Sequence, residues 1–117
     1  MKFEDKYFAK FTFTKDQIKK NLENAQKDLS IAIKVNILEV KFNYAYTALI
    51  KAGIVLLSLY QVKIKSVPGH YVKIIEKLAQ ILKDDNIENI GNITRSKRNL
   101  DFKLEELRLR IKNVRNI

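Results

Sequence analysis

Residues 45–82 read AYTALIKAGIVLLSLYQVKIKSVPGHYVKIIEKLAQIL and contain the chain's one proline, Pro68, directly before Gly69. This break separates two stretches of helical periodicity, and such a pair is a strong local stop signal. The whole chain of 117 residues has only three glycines and one proline. Turns built on these residues are therefore few, which favours helices over a sheet whose every hairpin needs one.

The apolar pattern on either side agrees. Thr14-Lys15-Asp16-Gln17 is a capping box, in which the Thr14 hydroxyl accepts from the Gln17 backbone and the Gln17 side chain reaches back. Ile18, Leu22, Ala25, Leu29 and Ala32 then form one stripe, which predicts a first helix over residues 15–34. A second helix is expected from Asn36 or Ile37 to Tyr60, with Val40, Tyr44, Ala48, Leu49, Ala52 and Leu56 on one face. Small residues at 45, 48, 52 and 53 permit a neighbouring helix to cross closely, which suits Gly53. Residues 61–66 (QVKIKS) alternate like a strand but stand alone, and they are expected as an extended connector. A third helix is expected over residues 69–83, with Ile74, Ile75, Leu78, Ile81 and Leu82 inward.

The last pattern places Ile90, Ile93, Lys97, Leu100, Leu104, Leu107, Ile111 and Val114 at alternating spacings of three and four. That is a heptad-like seam, with Lys97 standing where an apolar residue is expected. One long helix from about Asn86 is the simplest expectation. It would outrun its partners and leave Leu104, Leu107, Ile111 and Val114 to meet a second copy of the chain. Residues 1–13 carry rings at 3, 7, 8, 11 and 13. They are expected as an arm or short helix capping the open end, with a dimer contact or a base-stacking surface as the rival reading. The expected fold is a single all-α domain over residues 1–117, an antiparallel up-and-down four-helix bundle with a long C-terminal helix.

Composition narrows the chemistry. No cysteine and a single histidine argue against disulfides and an all-protein zinc site, so no metal or cofactor is expected. The net charge of +10 invites a polyanion or an acidic partner, although it is also what a lysine-rich genome would produce. The longest apolar run, residues 52–60, is too short to span a bilayer and no leader pattern is visible, so a cytoplasmic protein is expected. Neither a Gly-rich phosphate loop nor paired catalytic acids are present.

Two groups of residues remain as candidates. His70, with Lys63 and Lys65 shortly before it, could transfer a proton beside a phosphate. It could equally be a helix-start histidine bonded to a loop carbonyl. Arg95, Lys97, Arg98 and Asn99 form the densest basic cluster, and two guanidiniums with a carboxamide suit a phosphate or an RNA backbone. The ordinary alternative is a solvated helix face.

The run AYTALIKAG…SVPGHYVKIIEKL, followed by RSKRNLDF, resembles the HEPN family (higher eukaryotes and prokaryotes nucleotide-binding), most closely its small prokaryotic members. The FTKDQI…A…DL…IA pattern of the first helix fits as well. This resemblance implies a helical bundle, usually a symmetric homodimer, often paired with a minimal nucleotidyltransferase in a toxin–antitoxin-like system. Many members are metal-independent endoribonucleases whose motif is an arginine, often followed by asparagine, and then a histidine. Here Arg98 and Asn99 match, but Lys103 stands where the histidine would fall, and a lysine at its ordinary pKa is protonated at neutral pH. The segment after Phe102 also lacks the glycine-containing loop of similar members, so a continuous last helix or a shortened variant is expected. A binding module for RNA or for a nucleotidyltransferase partner is thus the leading expectation. An endoribonuclease using Arg98 and Asn99, with Lys103 or His70 as the base, is the alternative. A structural helical protein without a ligand is the third.

Overall fold

The computed structural model describes residues 2–89 and 97–114. Among these, the chain forms four helices and one small sheet: β1 (Phe8–Lys10), α1 (Lys15–Lys34), α2 (Leu38–Leu59), β2 (Val62–Ile64), α3 (His70–Leu82), a 3-10 turn (Asp85–Asn89) and α4 (Lys97–Val114). It is thus mostly helical, as the periodicities predict.

The capping box forms as expected. The Thr14 hydroxyl accepts from the Gln17 N–H at 3.1 Å and the Gln17 carboxamide accepts from the Thr14 N–H at 2.9 Å. At its other end α1 is closed by a side chain from the next helix. Lys41 of α2 is fully buried, and its Nζ donates to the Ala32 carbonyl and, at 2.9 Å, to that of Ile33. These are carbonyls of the last helical turn, which have no partner within α1. The same ammonium lies 2.6 Å from Asp101 Oδ1 on α4. One buried cation therefore ties three helices together. A second link, Lys51 to Asp28 at 2.6 Å, joins α2 to α1.

α2 is the central element, with Ala45, Ala48, Leu49, Ala52, Val55, Leu56 and Leu57 buried. By length and mean hydropathy its 22 residues could cross a bilayer, in contrast to the expectation drawn from residues 52–60; here it is the middle of a packed core. Gly53 marks the close crossing. A Cβ there would run into the Ile74 side chain and sit 3.3 Å from the Ile74 carbonyl oxygen of α3. α3 starts after Gly69, whose φ of 81° is left-handed, and ends at Lys83, also left-handed at φ 54°.

Three expectations are corrected. First, residues 61–66 are no lone connector, and of the two readings of the N-terminal segment the described residues 2–13 form the arm. β1 and β2 pair antiparallel, with Phe8 opposite Ile64, Ala9 opposite Lys63 and Lys10 opposite Val62. Phe8 is buried, and Phe3 stacks edge-on against it at 5.4 Å, so the rings do close one end of the core. Second, the chain after α3 does not run straight into a long helix. Asp85–Asn89 is a 3-10 turn with Ile87 buried, and α4 begins at Lys97. Ile90 and Ile93 lie outside the described residues. Third, Leu104, Leu107 and Ile111 are not an exposed stripe awaiting a second chain. All three are buried in the core of one chain, because α4 lays this seam against α1 and α2. Val114 is the last residue of α4.

Candidate nucleic-acid interface

Lys97, Arg98 and Asn99 lie in the first turn of α4, and Arg95 is outside the described residues. The Lys41–Asp101 pair fixes this end of the helix, since Asp101 lies two residues beyond Asn99.

Lys103 follows one turn later and is not free. Its ammonium is held by the carboxylate of Asp84, just past the end of α3, and Glu106 is 3.7 Å away. Arg110 approaches the same Asp84 oxygen at 3.3 Å. The Lys103 side chain is only 14% exposed. Burial raises the Asp84 carboxyl, but hydrogen bonding and charge from Lys103, the Asn86 N–H and Arg110 outweigh it and hold the group below its ordinary range. This cluster clamps the turn after α3 onto α4.

His70 is the first residue of α3. Its Nδ1 lies 2.8 Å from the Val67 carbonyl, so Nδ1–H donates and the ring is fixed over the Ser66–Gly69 turn. The Tyr71 ring packs against it at 4.1 Å. This is the helix-start arrangement that the sequence leaves open as the alternative to proton transfer.

Lys63 on β2 and Lys65 just after it are exposed. Lys63 Nζ lies 4.9 Å from the centroid of Phe11, and Lys65 donates to the Asp5 carbonyl. The candidate residues therefore separate into two groups. His70 begins α3, and Asp84 with Lys103 lies beyond its other end. At a rise of about 1.5 Å per residue, α3 holds them roughly 20 Å apart. Within one chain His70 does not reach Lys103.

Sequence reasoning passed over the buried lysines. Lys41 falls on the stripe with Ala45, Ala48 and Ala52, a position that could have flagged it. Lys77 lies among Ile74, Leu78 and Ile81 on α3. It is buried, donates to the Lys2 carbonyl, pairs with Glu4 at 3.1 Å and faces the rings of Phe3 and Phe8. Lys73 adds a second contact to Glu4 at 3.0 Å. Hydrogen bonds from Lys73 and Lys77 bring the Glu4 carboxyl down to about 2. Among the described residues there is no cluster of side chains that could hold a metal ion.

Comparison of the chain with protein families, with curated proteins and with solved structures finds no match.

Proposed function

We propose that the chain is a HEPN-type helical module that binds RNA without cutting it, acting in the cytoplasm as a homodimer. In this reading the four helices form an antiparallel up-and-down bundle, as the resemblance implies. The observation that carries it is the state of Lys103. Its Nζ is engaged by the partly buried Asp84 carboxylate, which commits it to the fold and not to a ribose hydroxyl. His70 begins α3, at the opposite end of that helix from the Asp84–Lys103 pair. Arg98 and Asn99 remain as groups suited to a phosphate, and Lys63, Lys65, Arg95 and Lys97 add cationic charge.

A second reading, docking of a nucleotidyltransferase-type protein in a toxin–antitoxin-like pair, is favoured by one feature of α4. Phe102 is 74% exposed and Leu109 58%, and their spacing of seven residues puts them on one stripe of the helix. A second copy of the chain would also find its apolar surface here rather than at Leu104, Leu107 and Ile111.

The test is a gel assay with labelled single-stranded RNA and no metal, on wild type and Arg98→Ala side by side. The expected result is a shifted, intact band, weakened by salt and by the substitution. Cleavage lost in Arg98→Ala would establish the endoribonuclease instead. Neither shift nor cleavage would leave protein docking or a purely structural role.

A further inference from the structure

The paired strands create something neither strand has alone. Where α2 ends and β2 begins, the chain turns through Gln61, a non-glycine residue in left-handed backbone at φ 57°. Beside this turn lies an open groove of about 560 Å³, lined by Phe3, Lys10, Phe11, Leu59, Tyr60 and Gln61 among others. Its size falls within the roughly 300–1,000 Å³ range of small-molecule sites.

Three aromatic rings border this groove. Phe11 is 39% exposed and Tyr60 51%, both high for rings of this size. Phe3, itself a lining ring, packs against Tyr60 at 5.7 Å from ring to ring, and Phe13 supports Phe11 at 4.7 Å. The two exposed rings are thus set by neighbours, and both line the groove. Lys10 lines the groove, and Lys63, outside its lining, lies over the Phe11 ring at its border. Among the described lining residues there is no carboxylate.

This combination selects its occupant. Exposed rings select a flat ring to stack on. Lysines without a carboxylate reject a cationic ligand and favour an anionic one. The Gln61 carboxamide offers both a donor and an acceptor to the edge of such a ring. A base with its phosphate meets all three conditions, and stacking on aromatic side chains beside cations is how proteins hold unpaired strands. A duplex would hide the base faces within its own stack.

We infer that the groove between the β1–β2 sheet and the end of α2 is a nucleotide subsite for single-stranded RNA, with Phe11 and Tyr60 stacking a base and Lys10 and Lys63 meeting the backbone. This rests on the RNA-binding reading above and adds a site that the Arg98 region does not contain.

The experiment is fluorescence anisotropy of a labelled oligouridylate, in the presence of a chelator and over a salt series. It compares wild type with Phe11→Ala, Tyr60→Ala, Tyr60→Phe, Lys10→Gln, Lys34→Gln and Arg98→Ala, after circular dichroism has shown that each is folded. Phe11→Ala and Tyr60→Ala should each weaken binding about tenfold with the salt slope unchanged, since each removes a stacking face. Tyr60→Phe should bind like wild type. Lys10→Gln should lower the salt slope by about 1. Lys34→Gln, the same charge change at the end of α1, should lower it less. Ring variants that bind within about twofold of wild type, while Arg98→Ala carries the loss, would overturn the subsite and leave the RNA-binding reading standing. Equal affinity for a duplex of the same length would overturn it as well. No binding by wild type at low salt would overturn both.

Discussion

Lys103 and Arg110 of α4 and the lysines at the small sheet carry the same formal charge but differ in what that charge can do. On α4, Lys103 and Arg110 converge on Asp84, and Arg108 pairs with Glu105 at 2.7 Å. At the sheet, Lys63 faces an aromatic ring and Lys10 lines a groove with no carboxylate among its described residues. The difference is that a cation matched by a partly buried carboxylate is committed to holding the fold, whereas a cation beside an exposed ring is available to a ligand. Position 103, where the resemblance puts a catalytic base, belongs to the first kind.

That contrast can be broken most severely at Lys41. Removing this buried cation would strand two α1 carbonyls and the Asp101 carboxylate, so Lys41→Ala should destabilise the chain by about 3–5 kcal/mol in a denaturant titration. An effect near zero would mean that α4 does not depend on the link. Next in size is Gly53→Ala. It forces a methyl against Ile74 across the α2–α3 crossing, for an expected loss of about 1–3 kcal/mol. A stabilised variant, as helix propensity alone predicts, would show that the crossing has room to spare.

Acid sharpens the comparison by acting on the two regions in turn. A carboxyl lowered by folding contributes stability above its unfolded value and loses it as pH falls through the folded value. Asp84, with an ordinary value of 3.8, should therefore begin to release α4 only below about pH 4. Glu4 titrates from 4.5 toward about 2, and its loss should free the N-terminal arm from Lys73 and Lys77. Amide exchange at Phe8–Lys10 followed from pH 5 to pH 2 would detect this. The smallest effect belongs to Glu4→Gln at neutral pH, because Glu4 is a surface partner. It should speed exchange in β1 and leave α4 unchanged.

Much of the helical fold was legible in residues that act locally. The Thr14–Gln17 box sets the start of α1, and Pro68-Gly69 sets the start of α3. Gly53 was recognisable as a close crossing. The sheet was not, because β1 and β2 are three residues each and are separated by residues 11–61. The alternation of residues 61–66 was visible, but pairing at that distance leaves no local signal of the partner strand. The seam of α4 was legible as apolar, but nothing local says whether such a seam meets its own chain or another. Leu104, Leu107 and Ile111 meet their own. Of the site, Lys63, Lys65 and the aromatic arm were each visible as types, yet only the strand pairing brings Phe11 to Lys63. Lys41 and Lys77 were hidden by the usual equation of lysine with surface, which fails where carbonyls and carboxylates surround the ammonium.

The central claim is that Lys103 is a structural partner of Asp84 and not a catalytic base. A double-mutant cycle tests it most directly, with denaturation and RNA integrity measured on wild type, Asp84→Asn, Lys103→Met and the double variant. A coupling of about 1 kcal/mol or more, with RNA left intact by all four proteins, is the predicted result. No coupling, together with RNA cleaved by wild type and spared by Lys103→Met, would contradict it.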